Sequence, residues 1–161
     1  MDKSTKDSFY NLAENGNVSV IRYLGWYLYA EESDPAEACR VYGFAQKNPE
    51  FEFMICKIKF IEGNRAALSE IKSLAIKGYA PALYTYGRQR MKKKQFKKYG
   101  YLCVLYAAKK GNLWACRDKY WKRKDVYPGF LSSMLSVIGL IYVAKIAVNR
   151  YREIWSESMV S

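Results

Sequence analysis

The sequence predicts an all-α protein: a short α/α solenoid of about four helix hairpins, followed by one C-terminal hydrophobic helix. Three observations carry that reading. A frame of small residues returns at near-constant spacing. No run alternates polar and apolar residues as a strand would. A 20-residue apolar stretch stands apart near the end of the chain.

The frame is plainest in LAIKGYAPALYTYG (74–87). It returns as LAENGNVSVIRYLG (12–25), FAQKNPEFEFMICK (44–57) and AAKKGNLWACRDKY (107–120). The anchoring alanines are Ala13, Ala45, Ala75 and Ala108, separated by 32, 30 and 33 residues. A period in the thirties is the mark of a helical repeat array. Gly16, Gly78 and Gly111 stand where a helix must end in a left-handed residue, and Asn48 takes that place in the second copy. Pro49 suits the first turn of a following helix. Gly25 and Gly87 lie nine residues beyond the cap glycines, where two helices would approach closely.

Helices are expected over about 4–15, 17–31, 35–47, 49–62, 65–77, 80–92, 94–110 and 112–124. Asp34, Pro35 and Glu37 read as an N-cap, a first-turn proline and the closing acid of a capping box. Asn64 reads as a further cap. Ten aromatic residues fall on helical spacings and are expected to pack between helices: Tyr23, Trp26, Tyr27, Phe51, Phe53, Tyr84, Tyr86, Tyr101, Tyr106 and Trp114.

This frame resembles the Sel-one-like subclass of tetratricopeptide repeats, whose first helix ends in A-x-x-G and whose second carries A-x-x-x-L-G. Ala75, Gly78, Ala80, Ala82, Leu83 and Gly87 match it in place. The first copy keeps Ala13, Gly16, Leu24 and Gly25, and the fourth keeps Ala108, Gly111 and Ala115. The second copy departs, with Asn48 and Lys57 replacing both glycines, and Tyr120 replaces the later glycine of the fourth. The resemblance covers about residues 5–124. It implies an α/α superhelix and a protein-binding role without catalytic residues. Bacterial proteins similar to this family serve as adaptors in envelope complexes and as immunity proteins against secreted toxins.

Composition narrows the chemistry. The 161 residues include no histidine, so His-based triads and His metal sites are excluded. Cys39, Cys56, Cys103 and Cys116 form no C-x-x-C pair and read as reduced, mostly buried thiols, with Cys103 and Cys116 able to meet across one hairpin. There is no nucleophile motif, no phosphate-cradling glycine loop and no metal-ligand cluster. The expectation is a non-enzymatic chain without a cofactor.

Charge is divided along the chain. Residues 1–70 hold eight basic and eleven acidic side chains, and the remainder holds nineteen and four. In the acidic part Glu31, Glu32, Asp34 and Glu37 crowd one helix junction. They form a candidate patch for a protein partner, with caps and a solvated surface as the plainer alternative. In the basic part Arg88, Arg90, Lys92, Lys93, Lys94, Lys97 and Lys98 bridge the third and fourth frames. With Lys122, Arg123 and Lys124 they form a candidate contact for anionic lipid or, as the rival reading, nucleic acid. Phe96 is the one aromatic in that run, and no base-reading motif accompanies it, so nucleic acid is the weaker expectation.

Residues 1–124 form the repeat region and 125–128 a linker. Residues 129–148, GFLSSMLSVIGLIYVAKIAV, carry one charge, Lys145. About 20 apolar residues cross a bilayer core as a helix. Trp121 and Tyr127 before the stretch and Tyr151 and Trp155 after it suit the two interfaces. Five basic residues precede it closely and two follow, which predicts a repeat region on the cytoplasmic side and a tail, 149–161, that crosses. The alternative is a hydrophobic helix laid against the repeat region or exchanged in a dimer. Gly129, Ser132, Ser133, Ser136 and Gly139 form a small-residue stripe through which the stretch could pair with a second membrane helix or with a copy of itself.

Overall fold

The computed structural model of the chain describes residues 1–45 and 47–127, together with 134, 137–139, 141 and 144; the side chain of Lys124 lies outside this set. The described residues form helices and no strand. In chain order these are α1 (Lys3–Glu14), α2 (Val18–Ala30), α3 (Pro35–Gly43), α4 (Pro49–Ile61), α5 (Ala67–Ile76), α6 (Ala80–Met91), α7 (Lys97–Lys109), α8 (Leu113–Trp121) and the short α9 (Arg123–Val126). A 3-10 turn, Lys94–Phe96, leads into α7. The helices divide into two units, 1–74 and 75–161.

One turn design recurs. At Gly16 the glycine amide donates to the Ala13 carbonyl and the Asn17 amide to the Leu12 carbonyl. Gly63–Asn64 and Gly111–Asn112 repeat the same pair of bonds, to Phe60 and Lys59 and to Ala108 and Ala107. This is the Schellman arrangement, which satisfies carbonyls that a helix end leaves open. It needs a left-handed residue, and φ is +81° at Gly16, +94° at Gly63, +87° at Gly78 and +86° at Gly111. The asparagine after the glycine then caps the next helix. The Asn17 side chain accepts from the Val20 amide and that of Asn112 from the Ala115 amide. Gly–Asn therefore ends one helix and begins another in two residues.

The second copy works differently. Asn48 has φ −85° and ψ 120°, so it is not a left-handed stand-in for glycine. It is the N-cap of α4, its side chain accepting from the Glu50 amide, with Pro49 at the first helical position. α3 accordingly ends at Gly43, short of the expected 47. The capping box at α3 is half made. Asp34 accepts from the Glu37 amide, but Glu37 turns to Arg40 and Tyr10 instead of reaching back.

In the first unit Ile21, Leu24, Gly25 and Leu28 form the inward stripe of α2, and Ala38, Val41 and Tyr42 that of α3. Each such large apolar side chain contributes about 1.5–3 kcal/mol on burial. Gly25 lies under the Tyr42 ring, where an added Cβ would come 2.5 Å from ring carbons. Tyr42 in turn stacks on Phe51 of α4 at 5.6 Å. In the second unit α6 and α7 meet through glycines. A Cβ at Gly87 would lie 2.7 Å from the Gly100 carbonyl oxygen, and one at Gly100 would lie 2.5 Å from that of Gly87. Tyr101 of α7 donates to the Lys119 carbonyl of α8 at 2.6 Å.

The aromatic expectation divides. Phe51, Phe53, Tyr86 and Tyr101 are buried, and Tyr27 and Tyr84 half-buried. Tyr23, Trp26, Tyr106 and Trp114 are instead about half exposed or more, from 47% to 61%. The reason is angular: once residues 21, 24, 25 and 28 face inward, 23 and 26 must face out. All four cysteines are free thiols, Cys103 and Cys116 among them.

Of the stretch 129–148, Gly139 is buried against the Tyr120 ring of α8. Met134, Val137, Ile138 and Ile141 are exposed. Gly129, Ser132, Ser133 and Ser136 lie outside the described residues. Among the described residues no helix is long and apolar enough to cross a membrane.

Candidate functional site

Three surfaces bear on function. The first is the acidic junction between α2 and α3. Its four acids do not form one free patch. Glu32 is bound by Lys6 at 2.6 Å. Glu37 accepts from Arg40 at 2.6 Å and from the Tyr10 hydroxyl at 2.7 Å. The Arg40 bonds hold its carboxyl below the usual glutamate range, while burial and Glu37 push the Tyr10 phenol up to about 12. Asp34 caps α3, and Glu31 stands exposed at the C-terminal end of α2. A network this paired fixes the junction more than it offers charge to a partner.

The second surface was not singled out in the sequence. Phe9 of α1 and Tyr23, Trp26 and Tyr27 of α2 form a contiguous aromatic face. The Tyr23 ring lies 5.6 Å from Phe9 and 6.4 Å from both Trp26 and Tyr27. The N-terminal ammonium donates to the Tyr27 hydroxyl at 3.0 Å, so the rim of the face is polar. Exposed rings held in register by neighbours lose little entropy when they meet another surface.

The third surface is basic and lies in the second unit. The run 88–98 is not one solvated loop. Arg88 and Arg90 sit in α6, Lys94 in the 3-10 turn, and Lys97 and Lys98 in α7. Arg90 is spent on packing: its Nε donates to the Tyr86 hydroxyl at 2.8 Å, and its guanidinium lies 5.0 Å from the Tyr86 ring and 5.1 Å from that of Phe96. Lys92, Lys93, Lys94 and Lys98 are exposed, and Lys97 is half-buried. Lys122 and Arg123 are half-buried at the α8–α9 junction, and Lys122 pairs with Asp125 at 3.6 Å.

At the centre of this surface is Asp118, only 2% exposed. It accepts from Arg117 at 2.8 Å and from the Tyr84 hydroxyl at 3.0 Å, and Arg88 lies 3.6 Å away. Burial of a lone carboxylate is costly, and two donors, Tyr84 of α6 and Arg117 of α8, with the Arg88 guanidinium nearby, offset that cost. Asp118 escaped sequence reading because a single acid among basic residues looks solvated. Its signal was its place three residues after Ala115, on the inward face of α8. Two clefts open here. One, of about 150 Å³, is lined by Arg88, Met91, Lys92, Lys97, Lys122 and Asp125. The other, of about 450 Å³, is lined by Arg88, Arg117, Asp118, Trp121 and Lys122.

Among the described residues no acidic and cysteine side chains gather into a group that could hold a metal ion. The buried Cys56 thiol donates to Glu70 at 3.2 Å, and burial together with that carboxylate raises it to about 12, far from a reactive thiolate. No family model, curated protein or solved structure matches the chain.

Proposed function

We propose that this chain is a non-enzymatic, protein-binding helical-repeat module tethered to a membrane by residues 129–148, with the repeat region on the cytoplasmic side. The observation that carries the binding role is the aromatic face of α1 and α2, where Tyr23 and Trp26 are 47% and 49% exposed. Aromatic side chains concentrate the energy of protein interfaces. The tether rests on the length and apolarity of 129–148 and on its aromatic and basic flanks; the contact of Gly139 with the Tyr120 ring favours the second reading, a hydrophobic helix laid against the repeat region.

Two concrete forms suit the resemblance to Sel-one-like repeats. One is an immunity protein that binds and neutralises a toxin, and the other is an adaptor in an envelope complex. The acidic junction contributes Glu31 at its margin, so charge steers a partner less than the paired acids of the sequence suggest. Nucleic acid is the lesser reading, because Arg88 and Arg90 are engaged with Tyr84, Asp118, Tyr86 and Phe96, the one aromatic of the run packs on Arg90, and no base-reading motif accompanies the exposed lysines.

The test is capture from native membranes by the full chain and by its Tyr23→Ala/Trp26→Ala variant. The proposal expects one protein, held in near-equal amount by the wild-type chain and lost from the variant. Identical profiles from the two would remove the aromatic face as the binding surface.

A further inference from the structure

We infer that the cleft between α6, α7 and the α8–α9 junction is a phosphate-binding site, and that the phosphate it takes is the headgroup of an anionic lipid. The phosphate site stands on the cleft alone; its assignment to a lipid rests on the membrane tether proposed above.

The cleft gathers Arg88, Lys92, Lys97 and Lys122 against one acid, Asp125. These cations come from three places in the chain. Arg88 and Lys92 are one turn apart at the end of α6, Lys97 opens α7, and Lys122 closes α8. Nothing local brings them together; the glycine contact of α6 with α7 and the packing of α8 on α7 do. Two have acid partners, and both at long range: Arg88 to Asp118 and Lys122 to Asp125, each 3.6 Å. Among the described residues no acid pairs with Lys92 or Lys97. Holding like charges around one small cleft costs stability, and an anion placed among them returns it. A tetrahedral, multiply charged oxyanion accepts hydrogen bonds from several directions at once, and a guanidinium fork matches it. Arg88 Nη1 donates to the Tyr84 hydroxyl at 3.3 Å and lies 3.6 Å from Asp118, which anchors one end of the guanidinium fork at the edge of the cleft.

The surroundings favour a lipid over free phosphate. Met91 gives the cleft an apolar wall. Trp121, half exposed, lines the adjoining cleft that shares Arg88 and Lys122. Lys122 precedes the apolar stretch at 129 by seven residues, which is where a headgroup would lie if that stretch enters a bilayer.

The experiment uses the full chain and two double variants, Lys92→Gln/Lys97→Gln in the cleft and Lys109→Gln/Lys110→Gln, which removes the same charge elsewhere. In detergent, inorganic phosphate is titrated at constant ionic strength while Tm is followed. The chain is then placed in phosphatidylcholine nanodiscs, and short-chain phosphatidic acid is titrated by calorimetry. The site predicts that phosphate raises the wild-type Tm saturably, and that the cleft variant starts with a Tm no lower than wild type and gains nothing. It predicts that the cleft variant binds phosphatidic acid about 30-fold more weakly than wild type, from two lost cations, and that the Lys109/Lys110 variant behaves as wild type. Equal losses in both variants, or no saturable effect of phosphate, overturn the site as an effect of bulk charge or an adventitious ion only. Phosphate binding as tightly as phosphatidic acid overturns the lipid assignment. A chain that does not enter nanodiscs does so as well, and contradicts the tether while the detergent arm still decides the site.

Discussion

Gly87 and Gly100 show how two residues set the distance between two helices. Each presents its backbone to the other where any side chain would collide. Gly87→Ala and Gly100→Ala should each destabilise the fold by about 1–3 kcal/mol, the usual cost of overpacking, and their effects should not add, because both act on one contact. Urea denaturation of the two single variants and the pair checks this. Gly87 was legible in the sequence, since it fell at the end of the repeated frame. Gly100 was not, since a glycine inside KKYGYLCVLY has no frame of its own. Asp118 was hidden for a related reason. Its role depends on Tyr84 and Arg88, thirty or more residues away, and only tertiary packing brings them to it.

At the scale of elements the sequence was most informative where backbone chemistry is local. In the repeat region eight helices were expected, and among the described residues of that region eight helices of nine residues or more formed, most ends falling within one or two residues of the places that caps and glycines mark. Three ends depart further: α7 begins at Lys97 after a 3-10 turn instead of at 94, α8 ends at Trp121 with α9 running into the expected linker, and the end of α3 was misplaced because Asn48 can serve as a left-handed stop or as an N-cap. The proline after it decides: Pro49 cannot donate an amide, so position 49 begins a helix and Asn48 caps it. The Gly–Asn turns make a sharper expectation. Asn17→Ala and Asn112→Ala should each cost about 1 kcal/mol by loss of the side-chain cap. Replacing Asn by Ser at either place should recover most of it. Thermal unfolding of the four variants measures both effects. Aromatic exposure was harder to read. Helical spacing puts a ring on a face, but which face turns inward depends on its neighbours, and Leu24 and Leu28 took the core that Tyr23 and Trp26 would have filled.

For the whole molecule, charge pairing ties stability to pH in one direction. Arg40 lowers the Glu37 carboxyl and Arg22, at 2.6 Å, lowers that of Glu50 below the ordinary value of 4.5. A depressed carboxylate stabilises the fold fully above its unfolded value and loses that contribution as pH falls through its folded one. Stability should therefore hold from neutrality to about pH 5 and decline below 4.5. The Glu37→Gln/Glu50→Gln variant should be less stable at pH 7 by ~0.4–2 kcal/mol, two partly exposed pairs at ~0.2–1 kcal/mol each, and should decline less steeply in acid. The same pairing engages Glu32 and Glu37 within the fold, whereas Tyr23 and Trp26, expected to pack between helices, stand about half exposed.

The binding role is tested most directly by titrating the captured partner into the full chain by calorimetry, beside the Tyr23→Ala/Trp26→Ala and Lys92→Gln/Lys97→Gln variants. An aromatic docking face predicts a loss of at least about 30-fold in affinity from the first variant, as two interface anchors at more than 1 kcal/mol each require, and no change from the second. Equal affinity for the wild-type chain and the aromatic variant would contradict it.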